Sequence, residues 1–372
     1  MAEKFTVTPW EVKGDIDYDR LIEQFGTEHI DSALLSRIKK HTGGLHHFLT
    51  RKIFFSHRDL NWILDEYQKG NKFFLYTGRG PSGNTHIGHL VPWMFTRWLQ
   101  DKFGADLYFQ LTDDEKFLFK NELTLEETNS LAYENALDII AVGFKMGKTK
   151  IFSDIDYAKT LYPHALRVSK KLTLSTVKSV FGFTDSSNVG EAFFTSMQSV
   201  PAFLPSAIAG KNIPCLIPHA IDQDAHFRVS RDILPKLGYY KPAAIHCRFL
   251  PALGSGGKMS ASEKETAIYT TDSPEAVEKK IKKYAFSGGA TSIEEHRKHG
   301  GNPDIDISYQ WLTFFEEDDA KLKQIHDEYK SGKMLSGELK MILIEKLQTF
   351  LKEHQRKRES ARKVLDKFII RD

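Results

Sequence analysis

Phe73-Phe74-Leu75-Tyr76-Thr77 runs directly into Gly78-Arg79-Gly80-Pro81-Ser82-Gly83, and His86-Ile87-Gly88-His89 follows at once. An apolar run, a glycine loop and a histidine pair in that order describe a strand turning through a loop into the N-terminus of a helix, where free backbone N–H groups and the helix dipole favour anions. Pro92 sets where the helix starts. Proline lacks the N–H that a helix interior uses, whereas the first helical N–H groups have no internal partner. A helix running to about Asp101 therefore begins close to Gly88, with both histidines at its positive end. Gly78, Gly80 and Gly83 let a nucleotide approach the backbone closely. By composition an H-x-G-H string is expected about 0.04 times in a chain of this length. The competing reading is a plain helix cap with two surface histidines. Gly254-Ser255-Gly256-Gly257-Lys258-Met259 is not a Walker A loop, lacking its spacing and the Ser/Thr after lysine, and no G-x-G-x-x-G follows the first strand.

From about residue 51, short apolar runs alternate with helical segments. Strands are expected at Phe73 to Thr77, Asp106 to Thr112, Ile151 to Ser153, Ile213 to Ile217 and Ala243 to Phe249. Thr124 to Ile140 reads as a helix opened by a capping box, Thr124 with Glu127. The alternation implies an α/β fold: a Rossmann-like parallel sheet, covered on both faces, binding ligands beyond the carboxyl ends of its strands. Tyr76 to Gly80 and Thr112 to Lys116 lie at such ends. After about residue 272 the strands stop. Ser273 with Pro274 starts a helix, Ser292 and Glu295 form a second capping box, and Leu339, Ile342, Leu343, Leu347, Phe350 and Leu351 have helical spacing. The expected division is therefore 1–50, an N-terminal extension; 51–272, the catalytic domain; and 273–372, an all-helical domain. The extension shows helical periodicity only around Asp31 to Lys40 and reads as an appendage of unreadable function.

With 372 residues, 41% of them apolar, the chain can bury two ordinary cores. A net charge of +3 excludes a polybasic binder and allows a local basic face. Cys215 and Cys247 are the only cysteines and form no C-x-x-C, so zinc knuckles and disulfide scaffolds are out. Met1-Ala2-Glu3-Lys4-Phe5 lacks a signal pattern, and no apolar run reaches the roughly 18 residues of a membrane span. The expectation is a cytoplasmic protein with neither membrane nor DNA as partner.

Lys258-Met259-Ser260-Ala261-Ser262 follows about 170 residues after the histidines, behind a hinge of Gly254, Gly256 and Gly257. Alone it reads as a solvated loop. Together, the two strings resemble the HIGH motif and KMSKS loop of class I aminoacyl-tRNA synthetases. The resemblance implies that His86 and His89 contact ATP phosphates, that Lys258, with Ser260 beside it, moves onto the departing pyrophosphate, and that Mg2+ assists. Catalysis is then positioning plus cationic stabilisation. Thr77-Gly78-Arg79-Gly80-Pro81-Ser82, Thr112-Asp113-Asp114-Glu115-Lys116, Gly182-Phe183-Thr184-Asp185, Ala220-Ile221-Asp222-Gln223-Asp224 and Ala285-Phe286-Ser287-Gly288-Gly289 narrow the likeness. They resemble tryptophanyl-tRNA synthetases of the eukaryotic cytoplasmic type, from about His46 to about Arg358.

That resemblance implies ATP contacts from Thr77, Gly78, Arg79, His86, Gly88, His89, Lys116, Lys258, Met259 and Ser260. Met259, read by itself, is packing. Arg79 and Lys116, read by themselves, are surface charges paired with acids. For L-tryptophan, Tyr76 and Gln110 would offer the acceptor that an indole N–H, a donor only, requires. Glu115, Gln198 and Gln223 would hold the α-ammonium and its surroundings; each glutamine alone reads as a surface amide. A pocket built on such bonds rejects analogues lacking them by about 10⁴–10⁵-fold, so no editing domain is expected. No metal ligand is assigned, since the adjacent Asp113 and Asp114 are poorly placed to converge on one ion. Partners implied are ATP, L-tryptophan, tRNA(Trp) and a second copy in a homodimer.

Lys279, Lys280, Lys282 and Lys283, Arg356-Lys357-Arg358 and Arg362-Lys363 are candidate tRNA contacts or simply a solvated face. Family members often continue past the position of Asp372 with a tail that packs on the catalytic domain, which puts that contact in question; the N-terminal RNA-binding hairpin of some animal members is missing. Alternatives are a tyrosyl-tRNA synthetase, which lacks these flanking strings, an HxGH-superfamily nucleotidyltransferase, which is shorter, and a non-catalytic paralogue, which would have damaged motifs.

Overall fold

The computed structural model describes residues 5–9, 12–14, 16–254, 257–259 and 265–372. Its centre is a seven-stranded sheet built from β1 (Glu28–His29), β2 (Phe54–Arg58), β3 (Phe74–Arg79), β4 (Asp106–Leu111), β5 (Thr149–Ser153), β6 (Cys215–Ala220) and β7 (Ala243–Cys247), in the order β1-β2-β7-β6-β3-β4-β5. The five strands from β7 to β5 are parallel, and β2 and β1 add antiparallel at one edge. Strand order reverses between β3 and β6, which opens a crevice at their carboxyl ends. Alternation along the strands divides the core: Leu75, Leu107 and Phe109 face one side, Phe74, Tyr76 and Tyr108 the other. This is the α/β, Rossmann-like architecture read from the sequence.

Helices α1 (Ile87–Phe103), α2 (Asp113–Phe119), α3 (Leu125–Ala141), α4 (Ala158–Ser169) and α5 (Val189–Met197) follow or flank these strands. The Thr124–Glu127 capping box of α3 is formed, with bonds of 2.8 and 3.2 Å. The second box is half made: Ser292 Oγ accepts from the Glu295 N–H at 3.1 Å, but the Glu295 carboxylate accepts from the Thr291 hydroxyl instead. Beyond the sheet come α6 (Pro274–Tyr284), α7 (Ile307–Phe315) and α8 (Ser336–Arg362). Ser273 caps α6 with Pro274 first in the helix, as expected. Leu339, Leu343, Leu347 and Leu351, spaced one turn apart, form the buried stripe of α8.

The structure differs from the sequence reading in three places. The first 50 residues are no appendage: β1 pairs with β2, and Leu34, Ile38, Phe48 and Leu49 belong to the main core. β2 escaped notice because buried Ser56 and His57 interrupt its apolar run. The chain's last residues do pack on the sheet. Ile151 of β5 donates to the Phe368 carbonyl at 2.8 Å, and Ile370 donates back to Ile151 at 2.9 Å. The core also continues without a gap from the sheet into α7 and α8, where Trp311 Nε1 donates to the Pro251 carbonyl at 3.0 Å.

Burial sets an acid limit on this core. It pushes the imidazoles of His219 and His226 down, to about 3 and about 4. Between those values and the ordinary 6.5 the unfolded chain binds more protons than the folded one, so stability rises with pH there and is lost as pH falls below about 6.5. Each histidine contributes up to about 1.4 kcal/mol per pH unit. Urea unfolding should give a lower free energy at pH 5 than at pH 7.5; identical values at both would refute the prediction.

Candidate active site

The segment that returns from Lys258 lies antiparallel against the histidine turn. Ile87 N–H donates to the Ile268 carbonyl at 3.0 Å, and Thr270 N–H donates to Thr85 at 2.9 Å. Lys258 itself sits on a tight return: Ala252 N–H donates to Gly257 at 3.1 Å and Met259 N–H to Leu250 at 3.2 Å. Met259 is buried in the core, the packing role its residue type indicated. Ser260 lies outside the described residues. Lys258 Nζ donates to Asp222 Oδ2 at 2.6 Å, beside the Phe249 ring.

His86 is the N-cap of α1, within a residue of where Pro92 places the helix start. Its backbone N–H donates to His89 Nδ1 at 3.2 Å, and the two rings stack with centroids 3.5 Å apart. Because His89 Nδ1 accepts, the neutral ring carries its proton on Nε2, a donor. His86 Nδ1 is buried without a partner among the described residues. Gly88 leaves room for the stack: a Cβ there would lie 3.0 Å from His86 Nδ1, close enough to make the ring shift. Both imidazoles are held well below the ordinary histidine range, by burial first and then by the positive charge of Arg79, with Lys258 contributing to each. The pair is therefore neutral, and the site's positive charge resides on Arg79, Lys116 and Lys258 instead. That Lys258 acts on both rings puts the two sequence motifs in one place.

Arg79 closes β3. Its Nε donates to Asn135 Oδ1 of α3 at 2.9 Å, while one terminal nitrogen is buried with no acceptor among the described residues. Burial lowers its pKa to about 10, so it remains a cation. Lys116 Nζ donates to Glu115 Oε1 at 2.6 Å, the acid pairing its surface reading allowed, and passes so near Gly80 that a Cβ there would fall 2.2 Å from Lys116 Cε. Thr77 Oγ1 donates to the Pro218 carbonyl at 3.1 Å, joining β3 to β6. A Cβ on Gly78 would stand 3.1 Å from the Gln110 carbonyl.

Tyr76 and Gln110, expected to read the indole, are buried and form one hydrogen-bonded chain with half-buried Gln198, expected near the α-ammonium. Tyr76 Oη donates to Gln110 Oε1 at 2.5 Å, and Gln198 Nε2, at the end of α5, donates to Tyr76 Oη at 2.8 Å. Behind them, Gln110 Nε2 donates to both oxygens of Asp154, at 2.9 and 2.8 Å. Burial alone would raise the Glu115 pKa, but Lys116 and the Thr112 hydroxyl hold it below the usual carboxylate range, so Glu115 is an anion facing the crevice. Gln223 ends the turn after β6, and its side chain makes no cap bond to the helix that follows. The three consecutive acids diverge: Asp113 accepts from Asn129 and Ser153, Asp114 bonds Asp154, and Glu115 bonds Lys116. Asn135, Asp154 and Asp222 were missed by sequence reasoning. Asp154 ends a parallel strand and Asp222 lies inside a quoted string, so both carried a signal; Asn135, in mid-helix, carried none.

The family model for class I tRNA synthetases (W and Y) matches residues 68–352. A tryptophan–tRNA ligase of Saccharolobus solfataricus is 55% identical over 99% of this chain and 96% of its own length. The cytoplasmic tryptophan–tRNA ligase of Saccharomyces cerevisiae is 51% identical, covering 98% of this chain and 88% of its own. The crystal structure of Plasmodium falciparum tryptophanyl-tRNA synthetase superposes with a TM-score of 0.88 at 47% identity, covering 93% of this chain and 94% of that one.

The neutral histidine pair can be read directly. Nitrogen-15 NMR of His86 and His89 should show neither ring protonating between pH 8 and about 5.5. A midpoint near 6.5 for either one would show that burial does not govern the pair.

Proposed function

The chain belongs to the class I tRNA synthetases of the tryptophan and tyrosine group, and we propose that it activates L-tryptophan with ATP and transfers the acyl group to tRNA(Trp). The observation that carries this reading is the Tyr76–Gln110–Gln198 hydrogen-bonded chain, whose buried Gln110 Oε1 and Tyr76 Oη are acceptors of the kind an indole N–H requires. The identities of 55% and 51% to tryptophan–tRNA ligases support it over a tyrosine-specific enzyme.

In the first step the tryptophan carboxylate attacks the α-phosphorus of ATP. A new P–O bond forms, the bond to the bridging oxygen breaks, and pyrophosphate leaves with the electron pair. The carboxylate is already ionised, so no strong base is needed; positioning and charge stabilisation do the work. Glu115, the anion in the crevice, holds the α-ammonium. His86 and His89, neutral donors at the start of α1, hold phosphate oxygens with the helix N–H groups. Arg79 supplies its free guanidinium nitrogen, and Lys116 and Lys258 exchange Glu115 and Asp222 for phosphate. In the second step a ribose hydroxyl at the tRNA 3′ end attacks the acyl carbon and AMP leaves. No cluster of three His, Cys, Asp or Glu suited to a metal occurs among the described residues. Mg2+ bound to ATP would neutralise phosphate charge alongside Arg79, Lys116 and Lys258.

For tRNA, Lys279 and Lys283 on α6 and Arg356 on α8 are exposed and have no ion-pair partner among the described residues. Lys280 pairs with Asp272, and Arg358 and Arg362 with Glu134, so a phosphate at any of these three would have to displace an acid. Exposed Tyr162 and Leu166, one turn apart on α4, and Val189 at the start of α5 support a homodimer face. No helix is long and apolar enough to cross a membrane among the described residues, and a cytoplasmic location accords with the reading.

ATP–pyrophosphate exchange with each amino acid in turn tests the assignment. Tryptophan alone should support exchange; activity with tyrosine only would overturn it. Lys258→Ala should slow adenylation by about 10²–10³-fold while leaving tryptophan affinity nearly intact. Equal losses in both would remove the lysine from the transition state.

A further inference from the structure

Gln110 serves as an acceptor only if its amide is turned the right way, and nothing in the amide's shape decides that, since its oxygen and nitrogen are nearly interchangeable in size. Turned over, it would present an NH2 to Tyr76 and to the pocket, and a donor facing an indole N–H repels it. The orientation is imposed from behind. Asp154, directly after β5, accepts from Gln110 Nε2 with both oxygens, at 2.9 and 2.8 Å. Both residues are buried. Gln110 Oε1 is thereby left facing Tyr76 Oη at 2.5 Å, with its second lone pair free.

Asp154 is itself held. Its backbone N–H donates to the Leu111 carbonyl at 3.1 Å, and its carboxyl bonds that of Asp114 on α2. Burial, with Asp114 and then Asp113 nearby, raises its pKa well above the carboxylate range, and burial raises Asp114 to about 7. A proton shared between the two carboxyls still leaves Asp154 an oxygen to accept from the amide.

We propose that Asp154 is a positioning residue for tryptophan recognition: it locks the Gln110 amide with its oxygen toward the indole N–H and so makes the pocket demand a donor. The inference rests on the tryptophan reading above. It is tested with tryptophan and with 3-(3-benzothienyl)alanine, in which sulfur replaces the N–H, by comparing kcat/KM for ATP–pyrophosphate exchange. In Asp154→Asn, whose own NH2 can face residue 110, the amide is free to reverse. The preference for tryptophan over the analogue should fall by about tenfold or more, with KM for ATP within about twofold of the parent. A loss of kcat/KM equal for both substrates would overturn the proposal, since it would mean that Asp154 merely supports the fold. The double variant Asp154→Asn with Gln110→Glu presents an acceptor at position 110 whichever way the group turns, and guards against misfolding of the single variant. It should recover preference for tryptophan; persistent indifference would also overturn the proposal. Parent enzyme giving no exchange with tryptophan would instead sink the underlying functional reading, a result visible before any variant is made.

Discussion

The backbone bonds between Thr85–Ile87 and Ile268–Thr270 hold together two stretches that lie far apart along the chain. They press the segment returning from Lys258 against the turn that carries His86, so a lysine and a histidine pair about 170 residues apart share one crevice. Backbone bonds suit this task because they fix register without depending on side-chain rotamers. The rest of the crevice follows from where β3, β4, β5 and β6 end. Each of those ends delivers one working group: Arg79 from β3, Glu115 just past β4, Asp154 from β5 and Asp222 just past β6.

Charge in the crevice is arranged as a set of replaceable pairings. Lys116 rests on Glu115 and Lys258 on Asp222, each at 2.6 Å, whereas Arg79 has only an amide and an unused nitrogen. Partly buried pairs of this kind are weak evidence for stability, because desolvation and solvent screening offset much of the Coulomb gain. Their value here lies in being exchangeable, since a phosphate oxygen can take over the cation without leaving it bare. The histidines work differently. Held neutral by burial and by Arg79, they can offer directional hydrogen bonds without adding charge to the crevice.

Much of this was legible from residues alone. Strand positions followed from apolar runs, and α1 starts at Ile87, next to the expected Gly88, although Pro92 as its sixth residue lies just past the N–H groups that lack a partner. What stayed hidden was long-range. β2 has polar residues inside, Ser56 and His57, which only the finished fold makes sense of. The basic clusters looked alike in the sequence, yet Arg358 and Arg362 reach back to Glu134 of α3, a partner some 225 residues away. Gln110 was nameable as an acceptor, but the carboxyl that fixes its orientation comes from the neighbouring strand's far end, and no local pattern links the two.

The strip from Phe368 to Ile370 beside β5 has a practical side. An uncovered sheet edge invites unwanted strand pairing, and this strip occupies that edge. The final residues extend the attachment: the Asp372 N–H donates to the Asp156 carbonyl at 3.2 Å, and its carboxylate accepts from Thr160 N–H at 2.9 Å. Asp156 follows Asp154 by two residues, so a purification tag fused behind Asp372 would pull on the very strand end that steadies the proposed indole pocket.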